Sequence, residues 1–183
     1  MIIGITGPNG SGKGEVANYL KSKGFIYFSL SDVVRQETQK SNLSLTRENL
    51  IKTGREIRKE RGDGFFAKQI ISELKDNSVV DSIRNPSEVE VLKQMGNFVL
   101  LGVNAPVGVR FKRSKKRGRV GDGSTVEEFV KLEEEENRGI GQDPIETLKM
   151  SNFLIINDKT VDHLHIQIDK ILDFIQNEKS TNN

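Results

Sequence analysis

The chain sets Gly7-Pro8-Asn9-Gly10-Ser11-Gly12-Lys13-Gly14 directly behind the apolar run Met1 to Thr6, and a helical stretch, Glu15 to Lys23, follows. A strand that ends in a glycine-rich turn and feeds a helix aims several backbone N–H groups and the positive end of the helix dipole at one point. An anion is held there. Gly7 and Gly12 match the spacing G-x-x-x-x-G-K, in which glycines let the backbone close around a polyphosphate and the lysine, here Lys13, reaches its outer phosphates. A plain strand-to-helix turn has no need of a lysine at that offset. Gly7, Asn9, Gly10, Ser11, Gly12, Lys13, Gly14 and Glu15 are therefore candidate nucleotide-binding residues.

Short apolar, β-branched runs alternate with longer stretches of helical period. Ile2 to Thr6, Phe25 to Leu30, Ser78 to Ile83, Asn97 to Val103 and Asn152 to Ile156 read as strands. The segments between them are long enough to serve as crossovers, so the pattern predicts an α/β fold with a five-stranded parallel sheet flanked by helices. Buried parallel strands read as near-continuous apolar runs, as in Phe98-Val99-Leu100-Leu101. Ser87 and Glu90 have the spacing of a capping box for a helix from Glu88 to Met95. Pro106 suits a first helical turn. Val161 to Asn177 carries Val161, Leu164, Ile168, Ile171, Leu172 and Ile175 on one face, and the polar tail Glu178 to Asn183 is expected to fray. Without internal repeats or linkers, residues 1–183 read as a single domain.

With 34% hydrophobic and 30% charged residues, the composition is that of a soluble globular protein. The absence of cysteine excludes a disulfide framework and a thiolate metal site, and agrees with a reducing cytoplasm. The start of the chain lacks a basic region followed by a long apolar one, so no signal peptide is expected. No apolar run approaches the length of a bilayer span. A cytoplasmic location is the expectation, with small-molecule nucleotides as partners. The formal net charge of +2 gives no argument for a nucleic-acid partner.

Further candidates lie where the later strands end, the edge at which open parallel sheets bind ligands. After the second strand, Asp32 and Arg35 sit three apart and share a face of the opening helical turn. The third strand ends in Asp81-Ser82-Ile83-Arg84. An aspartate there can hold magnesium, usually through water, and an arginine can grip an acceptor phosphate. Arg55 and Arg58 share a helix face and either line an acceptor pocket or stay on the surface. Arg110 to Arg119 is rich in cations. Its readings are a solvated face, a nucleic-acid patch, or a lid whose Arg113, Arg117 and Arg119, with Arg138, close over a transferring phosphoryl group. Only Phe111 interleaves these cations, which weakens the nucleic-acid reading. Glu133 to Glu136 read as a solvated helix face, and His163 and His165 do not share a face, which argues against metal ligation.

These motifs together resemble the nucleoside monophosphate kinase superfamily over nearly the whole chain. Gly7 to Gly14 resembles the adenylate-kinase phosphate loop, which also has glycine after the lysine. Ser31-Asp32-Val33-Val34-Arg35 resembles the acceptor motif. Asp81-Ser82-Ile83-Arg84 resembles the strand-three motif without its glycine and proline, and Ile156 to Thr160 lies where those kinases pack adenine, which makes Asp158 a candidate. The Ile-Arg-Asn-Pro strand end is closer still to a group of nucleotide-kinase-like proteins, and the layout is also similar to dephospho-coenzyme A kinase. The resemblance implies a P-loop kinase fold with an acceptor-binding insertion near 31–75 and a lid near 113–140. It implies ATP and Mg2+ as donor pair and phosphoryl transfer to a small nucleotide, a (deoxy)nucleoside monophosphate first. With dephospho-coenzyme A as the acceptor, Asp32 is the proton acceptor; a nucleotide-sensing module without turnover is the alternative of another class. Lacking Ser or Thr at position 14, the chain is expected to hold Mg2+ largely through phosphates and water.

Overall fold

Every residue of β1 (Ile2–Thr6) is buried, and the strand pairs in parallel on both sides, so the turn it feeds lies at the centre of a sheet edge. The fold is that of a computed structural model, which describes residues 1–118, 123–137 and 142–181. After β1 come α1 (Lys13–Ser22), β2 (Ile26–Ser29), α2 (Leu30–Lys40), α3 (Arg47–Arg61) and α4 (Phe65–Ile70). The chain continues through β3 (Ser78–Ile83), α5 (Pro86–Lys93), β4 (Phe98–Asn104), α6 (Val107–Arg117) and α7 (Val126–Asn137). It closes with α8 (Pro144–Lys149), β5 (Phe153–Ile156) and α9 (Val161–Thr181). The strands form one parallel sheet in the order β2-β3-β1-β4-β5. The chain runs out to one side of β1 and then to the other, which opens a crevice beyond its carboxyl end.

Alternate side chains of the buried strands feed two cores. Ile2, Val80, Ile83 and Leu100 pack with Leu30, Phe66, Val89 and Leu92 on one face; Ile3, Ile5, Val79, Leu101 and Val103 pack with Val16, Leu20, Leu164 and Ile168 on the other. Both sheet faces are thus covered by helices, which is why the strands read as continuous apolar runs. Among the described residues, no helix is long and apolar enough to cross a membrane.

Several local boundaries shift by a residue or two from the sequence reading, and three helix ends depart for a visible reason or by more. The capping box of α5 is Asn85 with Glu88, not Ser87 with Glu90: Pro86 takes the start of the helix, so Ser87 is already inside it. Pro106 caps α6 rather than entering its first turn. Helix α9 continues through Thr181, past the expected end at Asn177.

Candidate functional site

Gly7 and Gly12 are among the phosphate-loop glycines that no other residue could replace without movement. Gly7 has φ 143, and a β-carbon there would lie 2.0 Å from the Val103 carbonyl oxygen; Gly12 has φ 104, and its β-carbon would lie 2.1 Å from Asn157 Nδ2. Gly12 is also the N-cap of α1 and offers no side chain to the helix start, which leaves that end to a ligand. Lys13 Nζ bends over the loop and donates to the carbonyls of Gly7 (2.7 Å) and Pro8 (3.0 Å). Burial, and then the neighbouring Arg84 charge, push its pKa down to about 7. Ser11 Oγ is buried without a hydrogen-bond partner. An uncapped helix start and a half-buried ammonium together suit a polyphosphate.

Side chains from distant elements hold the loop from behind. Asn157 Nδ2 donates to Ser11 O (2.8 Å), and Arg113 donates to Ser11 O (3.3 Å) and Asn157 Oδ1 (3.2 Å). Arg110 donates to Asn9 O (3.1 Å) and to both carboxylate oxygens of Glu133 at 2.7 and 2.8 Å, while Glu133 accepts from Asn9 N (3.1 Å). Glu133 is therefore no part of a solvated face. Glu134 and Glu135 are exposed as expected, but Glu133 points inward to the arginine.

A cavity of about 540 Å³ runs from the loop to the space between α2 and α3. Its wall carries the cations Lys13, Arg35, Arg47, Arg58, Arg84, Arg113 and Arg117, against the carboxylates Glu15 and Asp81. Asp81 is delivered by an irregularity in β3: Gly4 pairs with Val80 but Thr6 pairs with Ile83, so the register slips between them. Ser82, in that slip, has φ 67, the left-handed region. Asp81 accepts from Ser82 N (2.6 Å) and, at 3.4 Å, from Tyr27 Oη. Burial raises the Tyr27 pKa, so the phenol stays a donor. Among the described residues no three potential metal ligands cluster. Asp81 alone fits a magnesium ion carried by the phosphates and water.

Not every candidate meets the cavity. The Asp32 carboxylate is exposed, forms an ion pair with Arg35 one helical turn on, and is absent from the wall. The opposite charges at this spacing meet each other rather than the loop. Asp158 is exposed outside the wall, whereas its neighbour Asn157 is buried and reaches the loop. Gly7, whose carbonyl accepts from Lys13, and Ser11, fully buried, are absent from the wall as well. On α3 it is Arg58 that lines the cavity; Arg55 does not. Arg119 and Arg138 lie outside the described residues. Tyr27, Arg47 and Glu133 carried no local motif; the basic run pointed to Arg110, and the segment Ile156 to Thr160 pointed to the neighbourhood of Asn157 but to Asp158 rather than to it.

Residues 3–138 match the family described as AAA domain. The UPF0200 protein of Sulfurisphaera tokodaii is 35% identical over 174 residues, spanning 93% of this chain and 95% of that protein. The UPF0200 protein of Pyrococcus abyssi is 35% identical over 182 residues, 94% of this chain and 95% of that one. The chain belongs to the UPF0200 family and carries an AAA domain. Among solved structures, shikimate kinase from Acinetobacter baumannii in complex with shikimate matches this UPF0200 member with a TM-score of 0.61 at 16% identity, covering 97% of this chain and 94% of that one. TT1252 from Thermus thermophilus matches with a TM-score of 0.58 at 21% identity, covering 94% and 96%. At such identities the likeness is one of fold. The UPF0200 member has a P-loop kinase-like fold.

Proposed function

We propose that this protein transfers the γ-phosphoryl group of ATP, with Mg2+, to the phosphate of a (deoxy)nucleoside monophosphate. The observation that carries the reading is the charge of the cavity wall, seven cations against two carboxylates. Such a wall suits two polyanions brought together, more than a single bound nucleotide needs. The P-loop kinase-like fold supports the same class of chemistry.

In this reading Lys13 and the loop amides hold the β- and γ-phosphates, and Arg35 and Arg84 hold the acceptor phosphate. Magnesium, when bound, would neutralise charge on the donor phosphates, with Asp81 as its protein contact through water. An acceptor phosphate oxygen attacks the γ-phosphorus in line, its bond forms as the bond to the β,γ-bridging oxygen breaks, and ADP and a nucleoside diphosphate leave. Phosphate oxygen is already a nucleophile, so no general base is required. The exposed, ion-paired Asp32 favours this acceptor over the hydroxyl of dephospho-coenzyme A. Arg113 and Arg117, with Arg119 and Arg138, neutralise charge during transfer as parts of a lid over 113–140, and Arg55 flanks the acceptor site. Of the other loop residues, Asn9, Gly10, Gly12, Gly14 and Glu15 contact the donor. The cytoplasm is the expected compartment.

ADP release measured across ribo- and deoxyribonucleoside monophosphates, with dephospho-coenzyme A in parallel, tests the proposal. Turnover with at least one monophosphate, lost in Lys13→Ala, is expected. Turnover with dephospho-coenzyme A alone, or ADP binding without consumption of any acceptor, would overturn it.

A further inference from the structure

Glu15 lies in the first turn of α1 and is one of two carboxylates in the wall of a cavity that otherwise gathers cations. A negative group beside a polyphosphate is costly unless it is turned away from the phosphates or meets a donor. Glu15 is turned away. It stands two residues from Lys13 on the helix, so the two do not share a face, and the carboxylates that most raise the Lys13 pKa are Asp81 and Glu133.

Helix α9 holds it there. His165 Nε2 lies 3.1 Å from Glu15 Oε1, and because a carboxylate only accepts, the ring nitrogen donates. The imidazole is itself fixed, stacked on Tyr19 one turn along α1 at 3.8 Å with 8° between the ring planes. Tyr19 Oη in turn donates to Asp169 Oδ2 (2.7 Å), and Asp169 pairs with Lys23 (2.9 Å). Among the described residues Glu15 Oε2 accepts no bond, and the side chain is 41% exposed where it lines the cavity, within reach of a ligand.

The order of the sheet decides which part of a donor nucleotide passes Glu15. Arg35 and Arg84 belong to the side of β1 that holds β2 and β3, whereas α9 packs against α1 and β5 on the other side. In-line transfer sets the acceptor oxygen, the γ-phosphorus and the bridging oxygen on one line. An acceptor arriving from the β3 side therefore leaves the donor nucleoside towards α9, the side to which His165 draws Glu15. Beyond the phosphates, the first groups of a nucleotide that can donate to a carboxylate are the ribose hydroxyls.

We infer that Glu15, oriented by His165, accepts from a ribose hydroxyl of the donor nucleotide, so that the donor site selects ribonucleotides over their deoxy forms. Glu15 is the specificity residue and His165 the positioning residue. The inference rests on the donor half of the kinase reading, and a binding test that needs no transfer keeps the two apart.

Equilibrium binding of ADP, 2′-deoxyADP and 3′-deoxyADP is measured beside that of inorganic tripolyphosphate, which carries no ribose and reports the loop alone. Wild type is expected to bind ADP about tenfold more tightly than at least one deoxy form, the loss of one charge-assisted hydrogen bond. Glu15→Ala is expected to bring that ratio within about twofold while tripolyphosphate affinity holds or rises, since a negative charge has gone. His165→Phe keeps a ring on Tyr19 without the donor nitrogen and should reduce the ratio to about threefold at unchanged tripolyphosphate affinity; His165→Gln, with a donor amide, should recover part of it. Absence of a preference in wild type, or a preference that survives Glu15→Ala, would overturn the inference. Equal weakening of ADP and tripolyphosphate in Glu15→Ala would also overturn it, because Glu15 would then support the loop. A ratio unchanged in His165→Phe would remove His165 from its positioning role. Binding of tripolyphosphate but of no nucleotide would overturn the donor reading and the inference with it, whereas the expected ratios without phosphorylation of any acceptor would overturn the transfer and sustain the ribose contact.

Discussion

At the phosphate-loop end of the cavity, most groups that face a ligand come from one short stretch, Asn9, Gly10 and Gly12 to Glu15, fixed by backbone shape, with Arg84, Arg113 and Arg117 beside it. At the α3 end they come from β2, α2, α3 and β3, as Tyr27, Val34, Arg58 and Ser82, and are fixed by side chains packed on other side chains. The loop is held from behind by Asn157, Arg110 and Glu133, none of which lines the cavity, and by Arg113, which also faces it. The α3 end has one comparable support, the Arg58–Glu88 pair, and there the supporting residue is also the one that faces the cavity. The difference separates two tasks. A phosphate is the same in every nucleotide and can be held by invariant backbone; what distinguishes acceptors must be read by exchangeable side chains.

The contrast breaks most sharply at Lys13. Lys13→Ala removes a half-buried cation from the loop end and is expected to lower turnover by at least about 10²–10³-fold, the loss typical of one preorganised electrostatic donor. Monophosphate affinity, measured without donor, should barely move. A parallel loss at both ends would show that they are not separable.

Next in size is the support behind the loop. Glu133→Ala leaves Arg110 buried without its carboxylate and Asn9 N without an acceptor, and is expected to cost about 3 kcal/mol of stability. A urea midpoint measured beside that of Arg110→Met with Glu133→Leu checks this, since the double change removes both charges and should cost less. ADP affinity is expected to fall with Glu133→Ala and monophosphate affinity to hold.

Much of this architecture was legible in the sequence, and its gaps have physical causes. The five strands appear because a parallel strand covered on both faces must be apolar throughout, and the loop appears because its glycines and lysine are contiguous. The capping box of α5 was displaced because two pairs three residues apart overlap there, and only the place of Pro86 in the helix decides between them. Glu133 was lost in an acidic run because its partner, Arg110, is 23 residues away on another helix. Arg55 and Arg58 share a face, and what separates them is depth: Arg58 has the buried Glu88 to pair with, from an element 30 residues on. Local pattern yields elements and contiguous motifs; it does not yield the phase of a helix against a neighbour not adjacent in sequence.

A smaller effect follows from the protonation of Lys13. In the empty site its pKa is about 7, lowered mainly by burial, and a bound polyphosphate restores the charged form. Donor affinity should therefore fall as pH rises above about 7, by up to about tenfold per unit, with uptake of close to one proton on binding. Calorimetry in buffers of different ionisation enthalpy measures that proton. Stability of the empty protein runs the other way. The cost of the buried ammonium is fully present below about pH 7 and is relieved as pH rises from there towards 10.5, because the unfolded chain then binds more protons. Affinity independent of pH between 7 and 8.5 would place the charge of Lys13 outside the binding step.

The smallest effect tests the junction between the two ends. Ser82 holds φ 67 within the β3 irregularity that presents Asp81, a conformation that costs a serine about 1 kcal/mol and a glycine almost nothing. Its hydroxyl also accepts from Ser31 Oγ at 3.1 Å, a bond reaching from β3 to the first turn of α2. Ser82→Gly relieves the strain, loses the bond and frees the unfolded chain, so the three terms nearly cancel and the thermal midpoint should move by no more than a few degrees. Ser82→Ala loses the bond and keeps the strain, and must be the less stable of the two. If Ser82→Ala is instead the more stable, the left-handed backbone is not what holds Asp81 at the cavity wall, and the register slip alone carries the carboxylate to its place.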